Sequence, residues 1–343
     1  MTQMQTRAGS APGGLGLKVG DLVEVRSAEE ILATLDDRGE LENLPFMPEM
    51  LAFCGQRLTV HKVAHKVCDT ISRSGFRRMT NAVHLTGARC DGSGHGGCQT
   101  ACNLYWKEQW LRRVSPGDRL PDAFTAGLNG HRPTLPILEI NARKPPGEDG
   151  EERYSCQATE LLRAAPACLG FLAVDQYVQD VRSGNAGVLA TVRTILVGLF
   201  NRAQSRSQKF LPRRFWFREG LRWRFLKGGV VGRTPTAHLD LRPGELVRVK
   251  SKEDILATLD ENLLNRGMGF DEEMSRFCGQ TFRVRNRVER CLDEKTGRML
   301  TMKSPCIVLD GVLCGGVYNV NCPREFVPFW REIWLERVTD DRG

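Results

Sequence analysis

The sequence predicts a mainly β protein with short helices, an α+β fold in which two copies of one small barrel are joined by a partly helical middle segment. One observation is an internal repeat, because residues 20–114 recur without a gap as residues 244–338 and 32 of the 95 aligned positions are identical. The other is a set of short stretches in which apolar and polar residues alternate, as they do in half-buried strands. A duplicated module determines the whole architecture of a chain.

The repeat divides the chain into four parts. We predict a flexible leader over residues 1–18, a first repeat over residues 19–115, a basic and partly helical connecting region over residues 116–241, and a second repeat over residues 242–339. A chain of 343 residues is long enough for two or three domains with cores of their own. Positions that both copies keep should be those that the module needs, and positions that differ indicate separate roles.

Each repeat opens with a strand and a short helix. Residues 19–26 alternate apolar and polar side chains, which predicts a half-buried strand. Ser27, followed three residues later by Glu30, has the pattern of a capping box that begins a helix, and the second copy keeps it with a shorter acid. A second short helix is predicted over residues 47–53, just before a glycine that suits a helix C-terminus.

The rest of each repeat returns to strand patterns. In the first copy these cover residues 58–60, 82–85 and 105–114. Short strands of this length and number resemble those of a small SH3-type barrel, and this resemblance of pattern implies no function. Trp106 and Trp110 would also fit one face of a helix, but the alternation continues beyond them and favours a strand that closes the barrel.

The middle region has no counterpart in the repeat. Its first part, up to Gly150, is rich in proline and glycine, which predicts loop. Helical periodicity then appears over residues 158–165, 173–181 and 186–202. The apolar run within the last of these is interrupted by Arg193, so no membrane-spanning helix is indicated.

The composition indicates a cytoplasmic protein with reduced thiols. Hydrophobic residues make up 41% and charged residues 26% of the chain, which is ordinary for a globular protein. The N-terminal residues show no apolar stretch of the signal-peptide kind. We therefore expect the 12 cysteines to be metal ligands, reactive thiols or small core residues rather than disulfides.

A glycine-rich loop in the first copy carries the strongest chemical signal. Residues 90–102, CDGSGHGGCQTAC, bring three thiols and one imidazole together. Zinc is bound tetrahedrally by such ligands at short spacings, although C-x4-H-x2-C-x3-C is not a common finger pattern. We predict zinc at this loop, mainly in a structural role.

Aligning the two copies sorts the candidate metal ligands. His95 and Cys102 are replaced by Asn319 and Phe326 in the second copy, which would recruit another cysteine or keep an open position. An open position distinguishes a catalytic metal from a structural one. Cys54 and its counterpart lie beside a phenylalanine at a helix end and fit equally well as core residues. The candidate ligands are Cys54, Cys90, His95, Cys98, Cys102, Cys278, Cys314 and Cys322.

Three histidines of the first copy suggest a separate site. His61, His65 and His84 have no histidine counterparts in the second copy. Together they would make a nitrogen-rich site for iron, copper or haem. The alternative is that they are exposed barrel residues, since histidine is often partly exposed.

Glu108 and its counterpart Glu332 are the candidates for acid or base catalysis. Each lies between two tryptophans that both copies keep. A carboxylate desolvated by indole rings could exchange protons with a ligand or orient it. A salt bridge to Arg113, or to Arg337 in the second copy, is the simpler role.

The net charge of +8 is concentrated in one segment, because residues 202–233 hold ten Lys and Arg against the single carboxylate of Glu219. Arginines neutralise phosphates and aromatic rings stack on bases, so nucleic acid is one expected partner. An anionic membrane surface is another, since an apolar helix precedes the segment. The third interpretation is a cationic strand pair that contacts acidic faces of the two repeats. The residues expected to bind a partner are Arg213, Arg214, Trp216, Arg218, Arg222, Trp223 and Arg224.

The CDGSGHGGC loop at residues 90–98 and the WKExWL strand at residues 106–111 resemble a group of bacterial hypothetical proteins that share both motifs. The resemblance extends over both repeats and implies no particular activity. No phosphate loop or dinucleotide fingerprint stands out in the sequence. We expect a metal-binding tandem-repeat protein that acts as a binding or scaffold protein for a small molecule or a protein partner in the cleft between the repeats. The alternatives are a metalloenzyme with a partly open Cys/His site for iron, copper or zinc, and a nucleic-acid-binding protein that uses the basic segment.

Overall fold

The computed structural model describes residues 14–115, 135–148 and 150–338. In these ranges the chain forms small antiparallel sheets and has more residues in strands than in α-helices, which confirms the predicted α+β class with a β majority. None of the helices in these ranges has both the length and the apolar character that crossing a membrane requires. Of the predicted leader, residues 1–13 lie outside the described ranges, and Leu17 is buried against the first repeat.

The first repeat is organised around an open antiparallel sheet. Its elements are β1 (Leu22–Val25), α1 (Ala28–Leu32), β2 (Glu40–Leu41), β3 (Leu44–Pro45), β4 (Arg57–Val63), β5 (Lys66–Asp69), β6 (Gly75–Arg78), β7 (Ala82–Leu85), β8 (Trp106–Lys107) and β9 (Leu111–Arg113). The main sheet has the order β8-β7-β4-β1-β9, while β2 pairs with β3 and β5 pairs with β6. The capping box at the start of α1 is confirmed, because the side chains of Ser27 and Glu30 each accept a hydrogen bond from the other residue's backbone N–H.

One predicted helix of the first repeat is confirmed, and one predicted strand is not continuous. The short helix predicted over residues 47–53 is the 3-10 helix Pro48–Phe53, with Pro48 in its first turn. The predicted strand over residues 105–114 is interrupted by the 3-10 helix Glu108–Trp110 between β8 and β9. This turn directs Trp110 into the core, where its ring packs edge-on against Phe46 with a centroid distance of 5.3 Å.

The middle region packs on the first repeat. Its elements are α2 (Pro136–Asn141), β10 (Arg143–Lys144), β11 (Arg153–Tyr154), α3 (Leu161–Ala164), β12 (Cys168–Leu169), α4 (Asp175–Ser183) and α5 (Val188–Phe210). Strand β12 pairs with β6 and so extends a sheet of the first repeat. The prediction of loop up to Gly150 was wrong for Pro136–Asn141, which form α2. The helix predicted over residues 186–202 is confirmed by α5, which continues beyond residue 202 into the basic segment.

The second repeat contains β13 (Leu246–Val249), α6 (Lys252–Leu256), β14 (Leu264–Asn265), β15 (Met268–Gly269), β16 (Thr281–Leu292), β17 (Met299–Leu309) and β18 (Leu335–Arg337). Its main sheet has the order β17-β16-β13-β18. Val23 pairs with Leu58 in the first repeat. The residues aligned with these two in the second repeat, Val247 and Phe282, pair with each other in the same way. The five-stranded sheet of the first repeat is open, because β8 and β9 at its two ends do not pair with each other.

The two repeats contact each other directly. The side chain of Gln99 in the first repeat accepts a hydrogen bond of 3.0 Å from the backbone N–H of Arg290 in the second. Arg324 of the second repeat likewise donates, through Nη1, to the backbone oxygen of Cys68 in the first repeat at 3.2 Å. These contacts place the glycine-rich loop of the first repeat against the second repeat, with a small cavity beside it.

Candidate metal centre

Three side chains of the first repeat converge on one point. Sγ of Cys90 lies 3.1 Å from Oε1 of Glu49 and 3.7 Å from Nε2 of His95. Each of the three offers a ligand atom, and these atoms all lie within 4.8 Å of one another. Ligands of a tetrahedral zinc ion are separated by roughly 3 to 4 Å, given metal–ligand distances of about 2.0 to 2.3 Å. The spacing therefore matches a metal centre, and it is the only such group among the described residues.

The chain positions these ligands through close backbone contacts. Glu49 lies in the 3-10 helix Pro48–Phe53, and the loop that carries His95 folds over it. Gly92 has a left-handed backbone with φ of +73°, and its oxygen accepts the backbone N–H of His95 at 3.1 Å. At Gly94 a Cβ atom would lie 2.5 Å from Oε2 of Glu49, so the loop approaches the carboxylate only because this residue has no side chain. The glycines of the loop thus serve a geometric purpose.

The three ligands line a cavity of about 50 Å³ at the contact between the repeats. Its first-repeat wall includes Cys98, Cys102 and Tyr105, and its second-repeat wall includes Arg324 and Phe326. A cavity of this size holds a water molecule or a small ligand when polar partners are available. The centre is therefore buried but has free space beside it.

Several buried polar atoms around this cavity have no hydrogen-bond partner. Among the described residues, Oε2 of Glu49, Nδ1 of His95 and the phenol oxygen of Tyr105 are buried and make no hydrogen bond. Nδ1 of His95 does face Oε1 of Glu49 at 3.4 Å, a contact without hydrogen-bond geometry. Unpartnered buried polar groups are rare in native proteins and indicate a bound water, ion or ligand. A carboxylate, an imidazole and a thiol with free lone pairs fit a divalent metal ion.

The pKa values of the groups at this centre are shifted by burial and by their neighbours. Burial and the nearby Glu49 carboxylate raise the pKa of the Cys90 thiol well above its ordinary value. Burial alone would lower the pKa of His95, but hydrogen bonding to Cys98 and the charge of Glu49 raise it. Burial alone would raise the pKa of Cys98, but hydrogen bonds to His95 and Thr100 lower it. Since ligands bind a metal in their deprotonated form, binding at this centre should release protons.

The other candidate ligands of the first repeat do not all lie at this centre. Cys98 and Cys102 line the cavity, and so does Cys156 from the middle region. Burial raises the pKa of both Cys102 and Cys156 to about 12. Cys54 lies away from the cavity at the end of the 3-10 helix, where it packs against the core. The structure thus brings Cys90, His95, Cys98 and Cys102 together without Cys54.

The second repeat keeps part of the arrangement. Sγ of Cys314 lies 3.5 Å from Oε2 of Glu273, the counterpart of the Cys90–Glu49 contact. Asn319 replaces the histidine, and Phe326 packs beside Cys322 in an apolar cluster. Cys278 packs against the core of its repeat, as Cys54 does. No third ligand joins Glu273 and Cys314 among the described residues.

The nitrogen-rich site expected from His61, His65 and His84 was wrong. Nε2 of His61 lies 2.7 Å from Glu325, while Nδ1 of His84 lies 3.0 Å from the backbone oxygen of Leu104. His65 faces the middle region instead. The alternative of exposed barrel residues is also wrong for His65 and His84, which are buried. Each ring has its own partner, because His61 lies on β4, His84 lies on β7, and His65 lies in the bend between β4 and β5.

Glu108 and Glu332 do not make the salt bridges expected of them. Glu108 accepts hydrogen bonds from the backbone N–H groups of Gly16 and Leu17, at 3.0 and 3.4 Å. Glu332 accepts from Leu239 and Leu241 in the same way, at 2.9 and 3.0 Å. The arginines expected as partners pair with Asp21 and Glu245 instead. Both glutamates thus bind the segment that precedes their own repeat, and Glu332 also pairs with Arg287 at 2.9 Å.

The basic segment is not the expected cationic strand pair. Its first residues, up to Phe210, belong to α5, and two short 3-10 turns follow, Arg213–Phe215 and Phe217–Gly220. Within the second turn, Arg218 and Glu219 have left-handed backbones. The guanidinium of Arg218 stacks over Trp223 at 4.4 Å, and Arg224 pairs with Asp271 of the second repeat at 3.1 Å. Of the remaining residues expected to bind a partner, Arg213 lies over Trp216 and Arg214 over Phe215, while Arg222 is exposed.

Glu49 is the candidate ligand that the sequence interpretation missed. A carboxylate in a short helix, far from the cysteine loop, has no spacing that points to a metal. The internal alignment did contain a sign of it, since Glu49 and Glu273 are identical in a stretch where most neighbours differ. Cys156 and Tyr105 of the cavity wall have no such sign.

Comparisons of the chain with protein-family models, curated proteins and solved structures found no match.

Proposed function

We propose that the protein binds a metal ion, zinc in the first place, through Glu49, Cys90 and His95, and that the ion presents an open coordination position to the cavity. The observation that carries this proposal is the convergence of three ligand atoms within 4.8 Å beside buried polar atoms that have no partner. Three protein ligands leave one tetrahedral position for water or a small molecule. The protein would thus be a metal-dependent binding protein whose ligand enters between the repeats.

Zinc is favoured by the chemistry of the donor set. One thiolate, one imidazole and one carboxylate are each common zinc ligands, and zinc imposes no geometry that these side chains must strain to meet. Iron and copper also bind imidazole and thiolate, so metal analysis decides among the three. Haem has no support in the arrangement, since the cavity of about 50 Å³ is far smaller than a macrocycle.

An open position is also what a metal needs to act as a Lewis acid, so a metalloenzyme is the second interpretation of this centre. The free phenol of Tyr105 in the cavity wall would be available to a bound molecule. The opposite case is a structural zinc whose fourth ligand is Cys98. The number of thiolates on the metal separates these cases.

The test is metal content of the full-length chain, purified without chelator. We expect one zinc per chain in the wild type, and a small fraction of that in the variants Glu49→Gln, Cys90→Ser and His95→Gln. Glu273→Gln and Cys314→Ser are matched controls in the second repeat and should keep the metal. No metal in the wild type, or equal losses in the control variants, would contradict the proposal.

Cobalt substitution then distinguishes an open centre from a closed one. With a single thiolate ligand, the sulfur-to-cobalt absorption should disappear in Cys90→Ser and persist unchanged in Cys98→Ser. Added azide should alter the visible bands if a position is open. A spectrum of two thiolates that Cys98→Ser reduces to one would identify a structural site instead.

We propose, as a statement about architecture, that the two repeats are copies of one SH3-like barrel module. The equal displacement of the strand pairings, together with the identical turns around Gly92 and Gly316, supports this interpretation. Both glycines have a left-handed backbone and accept two N–H groups of their own loop. An experimental structure that superposes Cys90 on Cys314 and Trp110 on Trp334 is the expected result.

A second function is favoured by the surface of α5. This helix turns its polar residues Thr191, Thr194 and Gln204 toward the protein, where they are buried. Its aliphatic residues face outward, and Leu189 is 86% exposed. An apolar helix face without cover marks an interaction site rather than a chance exposure. The exposed aliphatic residues of this face are Val188, Leu189, Val192, Leu196 and Leu199.

Basic residues surround this apolar face. Arg193, Arg206 and Lys209 lie on the same helix and have no carboxylate partner among the ion pairs of the described residues. Phe210, at the helix end, is 82% exposed. A helix with aliphatic residues on one side and arginine or lysine at its margins fits the interface of an anionic lipid layer. The combination of charge and apolar area favours such a surface over nucleic acid, which gains little from aliphatic contacts.

Vesicle co-sedimentation tests this second function. We expect the protein to sediment with phosphatidylcholine vesicles that contain phosphatidylglycerol, less so at high salt, and hardly with phosphatidylcholine alone. Replacing Leu189 and Leu196 by serine should weaken binding at least about tenfold, because each buried leucine contributes roughly 1.5 to 3 kcal/mol. Val231→Ser removes an exposed side chain elsewhere and is the control. Salt-dependent retention on nucleic acid without vesicle binding, or a dimer that covers the helix, would overturn the lipid interpretation.

A further inference from the structure

Two cysteines from different repeats are in direct contact outside the metal centre. Sγ of Cys322 donates a hydrogen bond to Sγ of Cys68 over 3.1 Å. Each residue is 6% exposed, and the pair belongs to a small apolar cluster with Phe76 and Leu169. Cys68 lies on strand β5, and Cys322 closes the loop that corresponds to the cysteine loop of the first repeat. Two thiols at this distance need only small movements to form a disulfide.

The groups around the pair favour the thiolate form of Cys68 over that of Cys322. The hydrogen bond from Cys322 lowers the pKa of the Cys68 thiol to about 7, although burial opposes this change. Arg324 also favours the thiolate and donates a hydrogen bond of 3.2 Å to the backbone oxygen of Cys68. Burial raises the pKa of Cys322 well above its ordinary value, so that Cys322 keeps the proton that Cys68 gives up. A thiolate beside a thiol is the arrangement of an attacking and a resolving cysteine.

We infer that Cys68 and Cys322 are an oxidisable pair that takes a small hydroperoxide as its oxidant and closes to a disulfide between the two repeats. The Cys68 thiolate attacks the peroxide, the O–O bond breaks, and a sulfenic acid forms while the released oxygen takes a proton. The sulfur of Cys322 then attacks the sulfur of Cys68, its proton leaves with the hydroxyl group as water, and the S–S bond forms. The two thiols together lose two protons and two electrons, and the peroxide takes them up as it is reduced to water, or to water and an alcohol.

The bond would hold one wall of the cavity in place. Arg324, two residues beyond Cys322, contacts Cys68 and also lines the cavity with Phe326. Joining residues so far apart in the chain restricts the unfolded state strongly, and a disulfide of this kind stabilises mainly in that way. Oxidation would therefore fix the contact between the repeats without using any ligand of the metal centre.

The test maps disulfides in the full-length protein. The reduced chain is treated with hydrogen peroxide, the remaining thiols are alkylated, and the protein is digested without reductant for mass spectrometry. We expect a linked peptide pair that contains Cys68 and Cys322 and has lost two hydrogens, as the most abundant cross-link. Wild-type protein in which both residues are found alkylated, or in which Cys68 is linked mainly to another cysteine, would overturn the inference.

Thermal unfolding supplies a second measurement. Oxidation should raise the unfolding midpoint of the wild type and of Cys168→Ser, an exposed control, and reductant should reverse the shift. Cys68→Ser and Cys322→Ser should show no such shift while keeping the zinc content of the wild type. An equal shift in these two variants would contradict the inference. Metal analysis of the same samples keeps a failure of this pair distinct from a failure of the metal centre.

Discussion

Gly94 lies where a side chain would end the contact between the cysteine loop and Glu49. A Cβ atom at this position would lie 2.5 Å from Oε2 of Glu49 and 2.8 Å from Cδ of Pro48, which is part of a helix and cannot yield easily. We expect Gly94→Ala to weaken zinc binding by roughly ten- to a hundredfold, because overpacking of about 1 to 3 kcal/mol must be relieved by moving the loop. Gly170→Ala, where the added atom meets nothing, is the control in competition with a chelating dye. Equal affinities for the two variants would show that the loop adapts.

The buried imidazole of His84 links the stability of the fold to pH. Burial lowers the pKa of His84 from 6.5 to about 4, and its Nδ1 lies 3.0 Å from the backbone oxygen of Leu104. The imidazole of His84 binds a proton more readily in the unfolded chain than in the folded one. The stability that the neutral, buried ring contributes is therefore fully present above pH 6.5 and is lost as the pH falls toward 4. The free energy of unfolding should decrease by at most about 3 kcal/mol over this window.

Denaturant unfolding at several pH values measures this dependence. In His84→Gln the part of the slope that belongs to this residue should vanish, while His238→Gln, at an exposed position, should keep the wild-type slope. A wild-type slope retained in His84→Gln would assign the pH dependence to other groups. The comparison uses slopes, so a uniform loss of stability in the variant does not obscure it.

At the scale of elements, Gln157 attaches the middle region to the first repeat. Its amide accepts a hydrogen bond from the N–H of Tyr105 at 2.8 Å and donates to the oxygens of Tyr105 and Pro45 at 2.9 and 3.0 Å. We expect Gln157→Leu to lower the free energy of unfolding by several kcal/mol, because each buried group left without a partner costs about 1 to 3 kcal/mol. Gln56→Leu, which removes an exposed hydrogen bond to Ala52, should change little in the same urea titration. A small effect in Gln157→Leu would mean that water takes its place.

Elements whose cause is local were predictable from sequence. The capping box of Ser27, the strand over residues 82–85 and the burial of the shared tryptophans follow from patterns within a few residues. The pairing of Glu49 with Cys90 was not predictable in this way, because folding brings together residues 41 positions apart. The helical period of residues 186–202 did not show which face of α5 is buried, and the helix buries its threonines while it exposes its leucines. Local patterns indicate elements, while the centre depends on how the elements meet.

At the scale of the whole molecule, the cavity of the candidate site is formed where the two repeats and the middle region meet. The first repeat supplies the ligands Glu49, Cys90 and His95, and the second supplies Arg324 to the cavity wall. The middle region completes the wall with Cys156. Each part is thus needed for the cavity, although the ligands themselves lie within one repeat. Separation of the parts should open the cavity before it disturbs the ligands.

A buried ion pair also joins the middle region to the first repeat. Nζ of Lys66 on β5 lies 2.6 Å from Oδ2 of Asp180 on α4, and both side chains are fully buried. Burial lowers the pKa of Lys66, and the charge of Asp180 opposes that effect. Nε2 of His65 lies 3.2 Å from the other carboxylate oxygen of Asp180. We expect Lys66→Met to lower the free energy of unfolding by about 3 to 5 kcal/mol, because it leaves the buried carboxylate of Asp180 without its lysine and with His65 as its one remaining neighbour of this kind among the ion pairs of the described residues. The double variant Lys66→Met with Asp180→Leu should recover most of this loss, since no charge remains to be desolvated. Lys227→Met, which breaks an exposed pair with Glu219, is the control and should have no measurable effect. A double-mutant cycle by chemical denaturation that shows additive losses at Lys66 and Asp180 would mean that the two charges act independently.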